Sequence, residues 1–129
     1  MLFRSAIWDR AIRTLTLARD PLGIKPLYLT EQAGGLAFAS EQRALRVLPG
    51  HRFDIDERSV HDYFCFGHVQ KPGSIFGQMR SLEPGHWLRL GADGAPQEQA
   101  FWQPRFHVVP GRSEAQWIEE AREIGRAHV

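Results

Sequence analysis

The chain is poor in the residue types that would decide several function classes at once. It has one cysteine, Cys65, which excludes an intrachain disulfide and any multi-cysteine zinc site. No apolar run approaches the roughly 20 residues needed to cross a bilayer, and the start carries no secretory-signal pattern. Neither sign of charge prevails: 16 Lys and Arg against 15 Asp and Glu leave a net charge of +1. That excludes a dominant nucleic-acid or acidic-membrane surface. No two of the six histidines (His51, His61, His68, His86, His107, His128) have the i, i+4 spacing of a helical zinc site, so no metal is assigned. Trp8, Trp87, Trp102 and Trp117 are scattered outside basic clusters and build no stacking platform for single strands. The simplest compartment for such a chain is a reducing cytoplasm.

What remains is ordinary for a globular domain: 129 residues, 43% apolar and 24% charged. Ala6–Asp9 reads as the end of a buried strand, with Arg10 to Arg13 as its turn. "TLTLAR" alternates, with Leu15 and Leu17 on one face. "PLYLTE" and "LAFAS" read as two more strands joined by Gln32-Ala33-Gly34-Gly35, where the glycines supply positive φ. Ser40 is expected to cap a helix through "EQRALRVL" with Ala44, Leu45 and Leu48 on one side, stopped by Pro49-Gly50. Asp56 is expected to cap a second helix. Ile55 and Val60 would form a hydrophobic staple, Val60, Tyr63 and Phe64 the buried stripe, and Gly67 the C-terminal stop. "KPGSIFGQMRSLEPGH" reads as an ordered loop, and "HWLRL" with "QAFW" as a second hairpin around Ala92-Asp93-Gly94. Gln103 to Gly111 is a candidate linker. Ser113 and Gln116 form a capping box for a last helix whose Trp117 and Ala121 would face a core mostly absent from the chain.

The stretch "LARDPLGIKPLYLTE" can be a phosphate loop, an acid–base pair or a stiff corner between strands. Asp20-Pro21-Leu22-Gly23 has the residues of a type I turn, and Pro26 would launch the next strand from its first residue. The glycine–lysine spacing of a Walker loop is missing, so a phosphate role for Lys25 is unsupported. Turn chemistry leaves Arg19 and Lys25 unexplained; for Arg19 the plain alternatives are an ion pair or contacts to loop backbone. Cys65, among aromatics on an apolar helix face, reads as a core residue rather than a reactive thiol. His86 reads as structural. Glu41 suits a helix start through the dipole; the alternative is that Ser40-Glu41 faces a neighbouring active site.

Both ends depart from this logic. Leu2-Phe3-Arg4-Ser5 and Glu123 to Val129 are the translations of the common sequencing adapters CTCTTCCGATCT and GAGATCGGAAGAGCACACGTC. Residues 1–5 and 123–129 are therefore expected to be non-native, and the chain to be an internal piece of a longer gene.

In order along the chain, "AIWDRAIRTLTLARDPLGIKPLYL", "GLAFASEQRAL", "VHDYFCFGHVQKPGSIFGQMRSLEPGHWLRL" and "AFW" resemble the glutamine-hydrolysing asparagine synthetases. There R-D-x-x-G-I-K-P-L-Y, F-A-S-E-x-K-A-L, F-G-Y-V-P-x-P-x-T-I-F, L-P-P-G-H and Y-W are usual. The likeness covers about residues 6 to 122. Pro21, Gln42, Gln70 and Lys71 depart from the pattern and put the subfamily, not the family, in question.

The resemblance implies an α+β fold: residues 1–103 as the C-terminal part of an αββα, N-terminal-nucleophile glutaminase domain (class II glutamine amidotransferase), and 104–129 as linker and first helix of a synthetase domain. It implies a ligase that makes asparagine from aspartate, Mg-ATP and glutamine-derived ammonia, with no nucleic-acid or membrane partner and a homodimer as one state of the full-length enzyme. An N-terminal cysteine attacks glutamine with its own α-amine as base; that residue, the family's glutamine-binding residues and its pyrophosphate loop have no counterpart in this chain. Cys65, being internal, cannot replace the nucleophile. No catalytic, cofactor-binding or metal residue is thus assigned, and the piece alone is expected to be inactive. Two alternatives stay open: a related amidotransferase with another acceptor, and a non-catalytic β-rich binding module.

Overall fold

The computed structural model describes residues 3–32, 35–50, 52–92 and 94–126. The proposed turn residues Ala33, Gly34 and Asp93, together with His51 and His128, lie outside that set. Among the described residues, seven strands and three helices follow one another as β1 (Arg4–Asp9), β2 (Thr14–Arg19), β3 (Tyr28–Gln32), β4 (Gly35–Ala39), α1 (Gln42–Leu45), α2 (Glu57–Phe66), β5 (Arg80–Ser81), β6 (His86–Leu90), β7 (Pro96–Ala100) and α3 (Glu114–Arg126). The strands make two antiparallel sheets, one ordered β1-β2-β6-β7 and the other β4-β3-β5.

Alternation fixes which face meets which. Leu17 of β2 lies opposite Leu88 of β6, and Leu15 opposite Leu90. These leucines meet Leu27 and Leu29 from the β3 region, Leu36 of β4, and Leu82 in one core between the sheets. The fold is therefore mixed α+β with a leucine-filled sandwich, as the period-two strings indicate. On the second sheet α1 packs against β4 and buries Leu45, while Met79 is buried in the loop that precedes β5. A cross-sheet ion pair, Arg80 to Glu98 at 2.8 Å, ties β5 to β7.

Several expectations are corrected. Residues 4 and 5 are not outside the strand logic: Arg4 pairs with Arg19 and Ser5 with Ala18. The β1 strand is not buried; as an edge strand it leaves Ile7 61% and Trp8 55% exposed. Helix α1 is a single turn whose cap position is Glu41, not Ser40, and no side chain caps it. Asp56 does cap α2, its carboxylate accepting from the Ser59 amide at 2.9 Å and hydroxyl at 2.7 Å. Gly67 ends that helix at φ 75°. The staple and the apolar stripe fail: Ile55, Tyr63 and Phe64 are exposed, and the one buried helix residue is Ser59. Ile55 is instead held by a backbone bridge to Phe76. Cys65, expected in the core, is exposed with them.

The second hairpin is also shifted. Its outer strand is the polar Pro96–Ala100, and Phe101 and Trp102 leave the ladder. Pro26 stands two residues before β3 rather than at its first position. Residues 103–111 are irregular and exposed, and α3 begins with the expected reciprocal cap between Ser113 and Gln116. No residue of α3 is buried. Among the described residues no helix is long and apolar enough to cross a membrane.

Candidate functional site

The corner after β2 is dense in hydrogen bonds. Asp20 starts the expected turn: the Gly23 amide donates to the Asp20 carbonyl at 3.1 Å. Its carboxylate then gathers the loop. Oδ1 accepts from the amides of Leu22 at 3.2 Å and Ile24 at 3.3 Å, and Oδ2 from Lys25 at 3.2 Å. Asp20 is wholly buried. Burial alone would raise its pKa, but the amides of Lys25, Ile24, Gly23 and Leu22 outweigh that and hold it below the ordinary 3.8.

Arg19, 2% exposed, closes the corner from the core side without a carboxylate partner. Nε donates to the Lys25 carbonyl at 2.9 Å, one terminal nitrogen to Leu82 at 2.5 Å, and the other to Gly23 at 2.7 Å. Desolvation lowers its pKa, and Asp20 and Tyr28 work against that. Of the two alternatives for Arg19, loop-backbone contacts are what the structure has. Lys71 reaches the same Gly23 carbonyl from outside at 3.4 Å; burial and the neighbouring Arg19 lower its pKa.

Three stretches far apart in sequence are joined here. Gly85 donates its amide to the Asp20 carbonyl at 3.0 Å, and its own carbonyl accepts from Phe101 at 2.8 Å and Trp102 at 3.2 Å. Gly23 (φ 65°) sits so close to Pro84 that a Cβ would fall 2.6 Å from Pro84 Cγ. Gly85 (φ 67°) is blocked by the Trp102 backbone. Both glycines are therefore required by φ and by space. Thus "ARDPLGIK", "LEPGH" and "AFW" form one node.

The sequence shows the turn at Asp20 and leaves Arg19 unexplained. It misses that Leu82, Gly85 and Lys71 complete the node; the Pro-Gly of "LEPGH" is the signal that could have found Gly85. Lys25 enters through its backbone N–H and C=O, and its side chain is exposed. A groove of about 590 Å³ runs beside the node, between Pro21, Leu22 and Pro84 on one side and Trp102 and Pro104 on the other.

Of the other candidates, His86 borders the same groove, and Cys65 and Glu41 lie apart from it. His86 Nδ1 donates to the Pro84 carbonyl at 2.8 Å. Cys65 Sγ lies 3.6 Å from His61 Nε2 on the exposed face of α2. Glu41 pairs with Arg43 at the surface at 2.5 Å rather than with any part of the node. Among the described residues no group of three or more His, Cys, Asp and Glu could hold a metal ion.

A family model described as a glutamine amidotransferase domain matches residues 2–102. A Mycobacterium tuberculosis protein provisionally named a glutamine-hydrolysing asparagine synthetase is 39% identical over 113 residues, 84% of this chain and 17% of its own length. Asparagine synthetase (glutamine-hydrolysing) 1 of Bacillus subtilis is 30% identical over 122 residues, 95% of this chain and 19% of its own. The chain thus spans less than a fifth of the curated relatives it matches.

Proposed function

The chain belongs to the glutamine amidotransferase domain family, and on that premise we propose that it is part of the glutaminase half of a cytoplasmic glutamine-hydrolysing asparagine synthetase. The complete enzyme would release ammonia from glutamine and pass it to an activated aspartate. Mg-ATP would supply that activation in a second domain, and no residue of this chain is assigned to hold it. Residues up to about 103 belong to the glutaminase, in the αββα arrangement of N-terminal-nucleophile enzymes, and those from 104 onward to the linker and the first synthetase helix.

What carries the proposal is the node: three of the five motifs that make the resemblance meet at Asp20, Gly85 and Trp102. Their role is to frame. Asp20 and Arg19 fix the course of the corner, while the nucleophile comes from upstream of Ala6. A second acceptor class stays in view because Pro21, Gln42, Gln70 and Lys71 depart from the synthetase pattern.

The intact enzyme carrying this segment decides the matter. Supplied with aspartate and Mg-ATP, it is expected to make asparagine from glutamine or from ammonium, releasing glutamate in the first case only. Glutamate release with no asparagine from either nitrogen source would assign another acceptor. No glutamate release at all would remove the amidotransferase role.

A further inference from the structure

The chain has two lysines, Lys25 and Lys71, and their side chains stand in different surroundings. The Lys25 side chain is exposed, and it is the backbone of that residue that enters the corner. The Lys71 side chain crosses from the loop after α2 and ends 3.4 Å from the Gly23 carbonyl. That oxygen is already taken by a terminal nitrogen of Arg19 at 2.7 Å. Two cationic groups therefore share one acceptor. The carboxylate that attracts Lys71 is Asp20, and both Asp20 oxygens are committed to the amides of Leu22, Ile24 and Lys25.

An ammonium crowded by a buried guanidinium loses part of its advantage over the neutral amine, which is the nucleophilic form. Burial and then Arg19 act in that direction at Lys71, against the pull of Asp20. The contact to Gly23 is long for a hydrogen bond, so the nitrogen is lightly held. The residue as a whole is exposed, which leaves the amine open to a small reagent. We propose that Lys71 is an acylation site, its Nζ, set beside Arg19 on the Gly23 carbonyl, taking a small acyl group from an acyl phosphate. The amine lone pair attacks the acyl carbon and a C–N bond forms. The C–O bond to the phosphate breaks, and inorganic phosphate leaves with its electron pair and the proton that the amine gives up. The product amide is neutral, so the like-charge pair disappears and Gly23 is left to Arg19 alone. The step needs neither glutamine nor aspartate.

The test uses the intact protein carrying this segment, with acetyl phosphate as the probe. After brief exposure at about pH 8, peptide mass spectrometry of the folded protein should find Lys71 acetylated about fivefold above Lys25. In urea the two lysines should be labelled alike. Equal labelling in the folded protein, or more at Lys25, overturns the proposal. A preference for Lys71 that survives in urea also overturns it, since it then owes nothing to the corner. Lys71→Gln, which imitates the acylated state, should melt no lower than the wild type. A fall of several degrees would make the ammonium a structural bond rather than a lightly held nucleophile, and would overturn the proposal as well.

Discussion

Arg19 directs its donors at three carbonyl oxygens, Lys25, Gly23 and Leu82, and Lys71 offers a second, longer contact to Gly23 alone of the three. Removing the guanidinium strands buried acceptors, so Arg19→Leu should cost about 3–5 kcal/mol in denaturant unfolding. Arg19→Lys should recover little, because one ammonium cannot reproduce the planar fork. Lys25→Ala is expected to be nearly neutral, within about 0.5 kcal/mol, since its backbone makes the bonds. The contrast between these two basic residues in one motif is invisible in sequence, where both simply lack a turn-based reason. Burial separates them.

Asp20 adds a pH dependence at the same scale. Its folded pKa lies below the unfolded 3.8. Its stabilising contribution is therefore fully present above about pH 4, and is lost as pH falls through the folded value. Asp20→Asn, which keeps one acceptor oxygen of the two, should lower stability at neutral pH and flatten the loss below pH 4. Unfolding midpoints at pH 3, 4 and 7 compare the two proteins.

Among the elements, β2, β3, β4 and β6 were legible, β5 was read as loop, and helices α2 and α3 were legible only at their ends. Thr-Leu alternation specifies β2 because one face must meet a core. The Asp56 and Gly67 caps of α2, and the Ser113–Gln116 cap of α3, are local chemistry and appear as read. What covers a helix is not local. Tyr63, Phe64 and Cys65 have the composition of a buried stripe and lie at the surface, since no described element packs over them. Phe64→Ser should thus change stability by less than about 0.5 kcal/mol, whereas Leu45→Ala on the one-turn α1 should cost about 2–5 kcal/mol. Equal losses in thermal melts would mean that α2 is covered after all. Strand β7 was misplaced for a related reason. Its polar Gln-Glu-Gln carries no apolar alternation to mark a strand, and the backbone ladder to β6, with the Glu98–Arg80 pair across the sandwich, is what holds it.

At the scale of the whole molecule, apolar side chains remain outside on both flanks: Ile7, Trp8 and Ile12 at the first sheet's edge, and Phe106, Val108 and Trp117 beyond Trp102. Such exposure promotes association. The 129-residue chain in isolation should self-associate with rising concentration, seen by light scattering, and should bind an environment-sensitive apolar dye. A monodisperse monomer that melts sharply would contradict this. The resemblance, carried by motif order, could be read without any of these contacts. Their convergence on one node could not, because residues 20, 85 and 102 are joined only by the third dimension.

That convergence has a consequence for the order of events at the ribosome. The β1–β2 hairpin can close as soon as it emerges, yet the acceptor at Leu82 lies 63 residues after Arg19, and Phe101 and Trp102 come later still. At about 5–20 residues per second of synthesis, the nascent chain holds a guanidinium short of one of its three acceptors beside half a leucine core for several seconds. Sandwich closure is then a late, concerted event triggered by the arrival of "LEPGH" and "AFW". Slowed elongation between residues 45 and 85 would lengthen the window in which holdase chaperones engage the chain.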